Sequence, residues 1–353
     1  MPVGITWGNM TGASMAVITA VSTKRFNLRA LFAALCASAA AIAAPLATAQ
    51  TAAQDFPTRS IRIMVPFAPG GNVDITARTL ATALGEALGQ QIVVDNRAGG
   101  GGFIGATVAV KAPADGYTLL LGSSGTITVA PAVAKNPPYD PVRELVVIGP
   151  IHSVPMVLTA SGKSNINNYR EFAALAAAKP GLVSIASAGS GTSNHLAIEL
   201  LMRDAKLKLI HVPYKGAGPA ITDLVGGQVD SMIDQLTASI GHIKDGRIKA
   251  LAVTTRKRSV LMPDVPTLSE LGVAGYDVAT FTGLFAPAGT PRPVLDKLAA
   301  ALKRALANTS VKERFAALGV ELIDLDVPAF DAYVKRDFEN WRNVARDAKI
   351  SME

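Results

Sequence analysis

Cysteine is nearly absent from this sequence, since Cys36 is the only one among 353 residues. It lies in an apolar leader that we expect to be removed. A mature chain without cysteine has no disulfide, thiol nucleophile or thiolate metal site. The metal motif H-E-x-x-H and the nucleophile motif G-x-S-x-G are also absent. The four histidines show no metal-ligand spacing; they are His152, His195, His211 and His242.

We therefore predict that the protein is not an enzyme and uses no catalytic residue, metal or cofactor. An exported hydrolase stays open as an alternative, because the members of a catalytic triad need not be close in sequence.

Charge is also scarce, at 17% of the residues against 49% hydrophobic residues. This composition supports a large core, and the length predicts two domains or one large one. The net charge of +7 includes Lys24, Arg25 and Arg29 of the leader, which has no acidic residue, so the remainder holds 31 basic and 27 acidic residues. A balance of +4 spread along the chain does not indicate a nucleic-acid partner.

The leader is typical of an export signal. Lys24, Arg25 and Arg29 precede an apolar run over residues 30–44, and Ala47-Thr48-Ala49 forms a small-x-small cleavage site before Gln50. We predict a signal peptide over residues 1–49, with Met15 favoured as the start, and a periplasmic mature protein. Cys36 follows Leu35 rather than a small residue, which argues against lipidation. No later stretch has about 20 consecutive apolar residues, so we expect no membrane anchor.

From Asp55 onward, short apolar strands alternate with helices, which predicts an α/β fold with a mainly parallel sheet. Ile61, Ile63 and Val65 alternate as in a strand, and Leu80 begins a four-residue repeat typical of an amphipathic helix. The loop between them, residues 66–74, therefore ends at a helix start. Free backbone N–H groups and the helix dipole can hold an anion there, and Gly70 and Gly71 permit close approach. A connecting loop without a ligand is the alternative.

Glycine-rich segments invite a nucleotide-binding interpretation, which we reject. Gly100, Gly102 and Gly105 fit G-x-G-x-x-G, but the next strand ends in glycine and serine where an acidic residue should hold a ribose. Gly162-Lys163-Ser164 resembles a phosphate loop, but the required preceding glycine is Val157.

Two further loops repeat the chemistry of the first. Residues 187–193 are rich in Ser, Thr and Gly and precede a helix, so they can donate to a ligand or cap the helix. Residues 212–218 contain Lys215, the one cation of these loops. A strand over residues 230–233 runs into Asp234, which either meets a ligand ammonium or caps a helix beginning near Ala238.

Taken together, these motifs resemble the periplasmic solute receptors of tripartite tricarboxylate transporters, the Bug-type receptors, from Phe56 to about Ile350. The segments that carry the resemblance include Val65-Pro66-Phe67-Ala68-Pro69-Gly70-Gly71, Asn96-Arg97, Ala114-Asp115-Gly116-Tyr117, Tyr139-Asp140-Pro141, His211-Val212-Pro213-Tyr214-Lys215-Gly216, Gly227-Gln228-Val229-Asp230, Pro263-Asp264-Val265-Pro266-Thr267 and Ala286-Pro287-Ala288-Gly289-Thr290-Pro291.

The resemblance implies a type II periplasmic binding protein, with two α/β lobes joined by a two-crossing hinge and a ligand cleft between them. We place lobe one at residues 50–153 plus 282–353 and lobe two at 154–281, with crossings near Val157 and Phe281. The implied function is to capture a small organic anion, a carboxylate, and to deliver it to a membrane permease. We expect a monomer. A ligand sensor for a two-component system is the main alternative.

The ligand-binding residues implied by the resemblance come from four segments: Phe67, Ala68, Pro69, Gly70, Gly71, Asn72 and Asp74; Ser123, Ser124, Gly125 and Thr126; Ser187, Gly189, Thr192, Ser193 and His195; and Tyr214, Lys215, Gly216 and Asp234. This chain has Ile127 and Ala130 where such receptors commonly have His and Asn, and Phe281 where Trp is common. These departures predict a less polar ligand.

The first-lobe loops contain no Lys, Arg or His, so backbone N–H groups and hydroxyls should hold the carboxylate. We expect Gly71→Val to obstruct the ligand, or to strain the loop if the φ angle of Gly71 is positive.

Overall fold

The computed structural model describes residues 56–347, apart from the side chains of residues 344 and 347. The predicted signal peptide, its cleavage site and Cys36 lie outside the described residues. Within the described part, no helix has the length and apolar character needed to cross a membrane.

The strands and helices alternate as the sequence pattern predicts. The strands are β1 (Ile61–Val65), β2 (Ile92–Asn96), β3 (Thr118–Ser123), β4 (Leu145–Ser161), β5 (Ser184–Ser187), β6 (Ile210–Pro213), β7 (Ser231–Gln235), β8 (Ile248–Val253), β9 (Ala279–Pro287) and β10 (Glu321–Leu322). The α-helices are α1 (Asn72–Leu88), α2 (Phe103–Val110), α3 (Ala130–Val133), α4 (Pro141–Glu144), α5 (Tyr169–Ala178), α6 (Ser193–Asp204), α7 (Ala217–Gly226), α8 (Leu236–Lys244), α9 (Arg292–Ala307), α10 (Thr309–Ala317) and α11 (Val327–Asp347). A 3-10 turn (Gly100–Gly102) precedes α2, and a π-helix (Gly125–Val129) precedes α3.

The sheet has two halves that share the long strand β4. Along its main path the order is β2-β1-β3-β9-β4-β7-β5-β6, and β8 and β10 also pair with β4. β4 pairs with β9 up to Pro155 and with β7 and β8 from Met156. We use "first lobe" for the half with β1, β2, β3, β9 and β10, and "second lobe" for the half with β5 to β8.

The expectation of a mainly parallel sheet needs correction, because the sheet is mixed. β1 to β3 are parallel in the first lobe and β5 to β7 are parallel in the second. β4 and β9 run antiparallel to the strands they meet. Both of these strands lie next to the junction of the halves, so the antiparallel pairs result from chain passage between lobes rather than from βαβ crossovers.

Helix α1 carries the first loop because its apolar face packs into the core. Leu80, Leu84 and Leu88 are buried, as the four-residue repeat predicts, and Gly89 ends the helix in the left-handed conformation. The same apolar cluster includes Leu298 of α9. A separate cluster in the second lobe surrounds Phe172 and Leu201. The second lobe thus has an apolar core of its own beside the cluster that contains α1.

Candidate functional site

A cavity lies between the two lobes, at the ends of strands where helices begin. It holds about 350 Å³ of space free of protein atoms, its open mouth included. Its lining comes from both lobes: Phe67, Gly71, Asn72, Val73, Ser123, Gly125, Ala188, Thr192, Ser193, Asn194, Ala217 and Gln235.

The first-lobe wall is the start of helix α1. Gly71 is the residue before the helix, and no side chain caps the N–H groups there. Its φ angle is −87°, so the strain that we considered for Gly71→Val does not apply; the positive φ angle, +89°, belongs to Gly70. A Cβ on Gly71 would lie 3.4 Å from the Ala217 Cβ of the second lobe. Added bulk would therefore meet the other lobe.

Asp74 holds this loop in place without lining the cavity. Its carboxylate accepts hydrogen bonds from the Gly70 N–H (3.0 Å), the Asn96 amide (3.0 Å) and the Arg78 guanidinium (3.0 Å). Burial disfavours the ionised form of Asp74, but the hydrogen bonds outweigh burial and lower its pKa. The Asn96 amide also donates to the carbonyl of Phe67. Asp74 and Asn96 thus fix the loop from both ends.

The second first-lobe segment, residues 123–126, contributes Ser123 and Gly125 to the lining. The Ser124 hydroxyl accepts from the Phe281 N–H at 2.8 Å, which ties the segment to β9, and Thr126 is fully buried. Ile127, Ala130 and Phe281 are also buried and do not line the cavity. These three residues therefore do not contact a ligand in the cavity, and the prediction of a less polar ligand gains no support from the lining.

The second-lobe wall consists of the starts of helices α6 and α7. Thr192 caps α6 by accepting from the His195 N–H, and Ser193 and Asn194 form the first turn. Helix α7 begins after Gly216, whose φ angle of +138° suits glycine, and Ala217 lines the cavity. No side chain caps α7.

Asp234 lies behind the lining rather than in it. The side chain is fully buried and accepts from Asn194 (3.0 Å) and Ser239 (3.4 Å). Burial raises its pKa to about 7, although these hydrogen bonds and one from the Gln235 N–H act in the opposite direction. The helix that follows begins at Leu236 rather than near Ala238, and Asp234 does not cap it. Through its hydrogen bond with Asn194, the Asp234 carboxyl group orients a side chain that lines the cavity.

The cavity offers hydrogen-bond donors without a charged side chain in its lining. Helices α1, α6 and α7 begin at lining residues, and α8 begins directly after the lining residue Gln235. These helix starts come from both lobes. Each helix start presents N–H groups without an intrahelical partner and a partial positive charge. The arrangement therefore favours an anion held by neutral donors.

Two buried polar atoms of lining residues have no hydrogen-bond partner among the described residues. They are Asn72 Oδ1 and Ser193 Oγ, in side chains that are 3% and 4% exposed. Because a buried polar group without a partner is costly, both atoms indicate a place for a ligand atom or ordered water.

The rims of the lobes touch through backbone and glycine contacts. The Ala68 N–H donates to the Lys215 carbonyl at 3.1 Å. Gly101 lies against the carbonyl of Ser190, and Gly218 lies against that of Pro69, so a Cβ at either glycine would overlap the opposite oxygen. The glycine run at residues 99–102 thus allows close approach of the lobes.

The side chains of Lys215 and Tyr214 do not line the cavity, although we predicted both as ligand-binding residues. The Lys215 side chain is exposed and does not line the cavity. The Tyr214 hydroxyl donates to Asp223 at 2.7 Å, and burial, followed by this bond, raises its pKa to about 12. Neither side chain contributes charge to the lining.

Ser187 and His195 belong to a partly buried chain of polar groups that the sequence did not predict. The hydroxyl of Ser187 lies 2.6 Å from His211 Nε2, and His211 stacks on His195 at 4.0 Å between ring centroids. His195 Nε2 is 3.3 Å from Glu199. Ser187 is fully buried and its hydroxyl also bonds to Gly189, so this serine–histidine pair has no open face for a substrate.

Seven of the predicted residues line the cavity: Phe67, Gly71, Asn72, Ser123, Gly125, Thr192 and Ser193. The others lie at the rims or behind the lining: Ala68, Pro69, Gly70, Asp74, Ser124, Thr126, Ser187, Gly189, His195, Tyr214, Lys215, Gly216 and Asp234. Sequence reasoning missed Val73, Ala188, Asn194, Ala217 and Gln235. Three of these five, Val73, Asn194 and Ala217, lie in the first turn of a helix, and Gln235 precedes one, so the first-turn positions after each strand were the signal that could have found them.

Comparison with known proteins places this geometry in a family. Residues 76–349 match the family described as "Tripartite tricarboxylate transporter family receptor". Protein BugT of Bordetella pertussis is 36% identical over 315 residues, which cover 89% of this chain and 95% of BugT.

Solved structures give the same result. The periplasmic binding protein BugD is similar with a TM-score of 0.81 and 39% identity, over 84% of this chain and 100% of that one. MatC from Rhodopseudomonas palustris with bound malate has a TM-score of 0.79 at 34% identity, over 82% and 99%. R. palustris Rpa4515 with adipate has a TM-score of 0.80 at 33% identity, over 84% and 99%.

The fold prediction of a two-lobed periplasmic binding protein is therefore confirmed, and this chain belongs to the tripartite tricarboxylate transporter receptor family, the Bug-type solute receptors.

Proposed function

We propose that this protein captures a small organic carboxylate in the periplasm, in the cavity between its lobes, and delivers it unchanged to a membrane permease of the tripartite tricarboxylate type. The observation that carries the proposal is the convergence of helix starts from both lobes on a cavity whose lining has no charged side chain. Relatives that bind malate and adipate support the same ligand class.

Carboxylate charge would be met by several partial charges rather than by one cation. Each helix start contributes about 0.3 to 1 kcal/mol at an exposed site and up to about 2 kcal/mol when partly buried. Hydrogen bonds from N–H groups to an anion add about 1.5 to 3 kcal/mol each. Three or four such donors contribute about 4.5 to 12 kcal/mol before the cost of association, so neutral donors alone can supply a large part of the attraction for a carboxylate.

Capture and release require the lobes to move, and the proposed hinge lies where the chain passes between them. We place its crossings near Val157 and Phe281. The change of partners in β4 after Pro155 and the start of β9 at Ala279 support this placement. The corresponding lobes are residues 50–153 plus 282–353 and residues 154–281. Closure would bring donors from both lobes to one ligand and exclude water.

The protein would act as a monomer that presents its closed form to the permease. A receptor that reports to a sensor kinase would use the same closure, and deletion of the gene separates the two roles. Loss of uptake of the ligand indicates transport, whereas loss of transcriptional induction with unchanged uptake indicates sensing.

The direct test is a thermal-shift screen of the purified mature protein against mono-, di- and tricarboxylates, amino acids and aromatic acids, followed by calorimetry. A ligand present at 100 times its Kd stabilises the folded state by about 2.7 kcal/mol, which is readily measured. We expect at least one carboxylate to stabilise the protein. Binding limited to neutral or cationic compounds would contradict the proposal.

A second measurement separates the receptor from an exported hydrolase. The bound ligand is released by denaturation and its mass is compared with that of the ligand supplied. We expect no change of mass. Conversion at enzymatic rates, lost in Ser187→Ala, would instead assign a catalytic role to the buried serine–histidine pair.

A further inference from the structure

Resting on the proposed function, we infer that the ligand is a hydroxycarboxylate and that Asn72 is the residue that selects its hydroxyl group. Helix starts in the cavity supply donors, which suit a carboxylate. A ligand composed only of carboxylate and hydrocarbon would leave any acceptor in the lining without a partner.

Asn72 supplies such an acceptor. Its Nδ2 donates to the Thr282 hydroxyl at 3.3 Å, which uses one of its two N–H donors and orients the amide. Its Oδ1 has no protein partner although the side chain is only 3% exposed and lines the cavity. A ligand O–H at this position would satisfy the acceptor.

Two other polar side chains of the lining, those of Thr192 and Asn194, are already engaged in hydrogen bonds within the protein. The Thr192 hydroxyl donates to the Gly189 carbonyl at 2.7 Å. The Asn194 amide donates to the Ile233 carbonyl (2.9 Å) and to Asp234 (3.0 Å). Ser193 Oγ is unpartnered, but it lies in the first turn of α6 and can donate to a carboxylate. Asn72 Oδ1 is thus a buried acceptor of the lining that a hydrogen-bond donor on the ligand would satisfy.

An ammonium group could also donate to Asn72, but the electrostatics disfavour it. Asn72 is itself the first residue of α1, where the helix dipole is positive. Within residues 56–347, no carboxylate lines the cavity to neutralise an ammonium. A hydroxyl donates without bringing positive charge, so a hydroxycarboxylate fits better than an amino acid of the same skeleton.

The experiment uses matched series that differ at one position: malate, succinate and aspartate; 2-hydroxyglutarate, glutarate and glutamate; lactate, propionate and alanine. Calorimetry on the wild-type protein gives the ratio of affinities within each series. In a series that binds, we expect the hydroxy acid to bind at least about tenfold tighter than the unsubstituted acid, and tighter than the amino acid.

Variants then assign the preference to a residue. Asn72→Leu removes the acceptor at similar volume and should reduce the ratio to within about threefold. Because this change leaves the Thr282 hydroxyl unpaired, the double variant Asn72→Leu/Thr282→Val is measured beside it, with circular dichroism as the check of folding. Ser193→Ala removes a donor from the same cavity. It should weaken both acids and leave their ratio unchanged.

Three results would overturn the inference while leaving carboxylate binding intact: equal affinities within a series that binds, a preference that survives in the folded Asn72 variants, or a preference lost in Ser193→Ala. If only carboxylates without a hydroxyl bind in the wider screen, the inference fails alone. If no carboxylate binds, the proposed function fails and the inference fails with it.

Discussion

The backbone N–H of Ala68 donates to the carbonyl oxygen of Lys215 at 3.1 Å, although 147 positions separate the two residues in the chain. This bond joins the first-lobe loop to the loop before helix α7. Lys215 thereby contributes its backbone to closure of the lobes, while its side chain remains exposed.

We therefore predict that Lys215→Ala changes ligand affinity by less than about threefold. Alanine keeps the carbonyl that bonds Ala68, and an exposed charge outside the cavity is screened by water and salt. Calorimetry at about 0.15 M salt measures the effect. Lys208→Ala, which removes the same charge before β6, is the matched control. Loss of binding in the Lys215 variant alone would make this cation the main source of attraction.

Gly218→Ala should weaken binding by at least about tenfold without harming the free protein. The added Cβ would overlap the Pro69 carbonyl of the opposite lobe, and a backbone oxygen cannot rotate aside. Gly218 lies in helix α7 and its φ angle is not positive, so alanine should stabilise the helix by about 0.5 to 1 kcal/mol.

Gly241→Ala is the control for Gly218→Ala. It lies in helix α8 with no atom within 4 Å of the new Cβ, so we expect the same helix effect and unchanged binding. Thermal unfolding without ligand and calorimetry with ligand separate the two effects. Wild-type affinity in Gly218→Ala would mean that closure does not bring these backbones together.

Asp74→Ala should lower both ligand affinity and stability, because it releases the Gly70 N–H and the Asn96 amide together. Unpairing buried donors costs about 1 to 3 kcal/mol, so we expect a loss of this size in the free energy of unfolding. Asp74→Asn can still accept from Gly70 and should fall between the alanine variant and the wild type. Arg78→Ala removes a largely exposed partner and should cost less than about 1 kcal/mol. An alanine variant at position 74 that binds normally would show that the loop needs no such support.

Asp234 should make the folded protein less stable as pH rises. Burial raises its pKa from 3.8 to about 7, so the folded state binds this proton more tightly than the unfolded state. The resulting stabilisation is complete below about pH 3.8 and is lost as pH rises through about 7. The pKa values of Asp234 in the folded and unfolded states differ by about three, which corresponds to about 4 kcal/mol in the free energy of unfolding.

Asp234→Asn removes this titration while keeping a polar partner for Asn194. We expect its free energy of unfolding, relative to wild type, to increase steadily from pH 4 to pH 8. Urea unfolding of both proteins at each pH gives the difference between their free energies of unfolding. The titration of all other groups cancels in this difference because both proteins contain them. A difference that does not change with pH would show that the pKa of Asp234 is the same in the folded and unfolded states, so that burial does not raise it.

Local sequence patterns were sufficient for much of the fold. The alternation of Ile61, Ile63 and Val65 marked β1, and the repeat from Leu80 marked α1, because each element buries one face at its own period. The same patterns located the strand-to-helix loops, and their residues carried the family resemblance. The mixed sheet was not predicted, because strand direction depends on how the chain passes between lobes.

The lining of the cavity depended on contacts between distant segments. The bond between Asn72 and Thr282 joins residues 210 positions apart, and it orients the Asn72 amide whose Oδ1 is left without a partner among the described residues. Ser187 and His211 meet across parallel strands, and Gly218 meets Pro69 only between lobes. The sequence alone determined the elements, the polar loops and the family, since these follow from local periodicity and motif order. Only the tertiary structure decided which donors and acceptors face the ligand, because burial and hydrogen-bond partners are set by long-range packing.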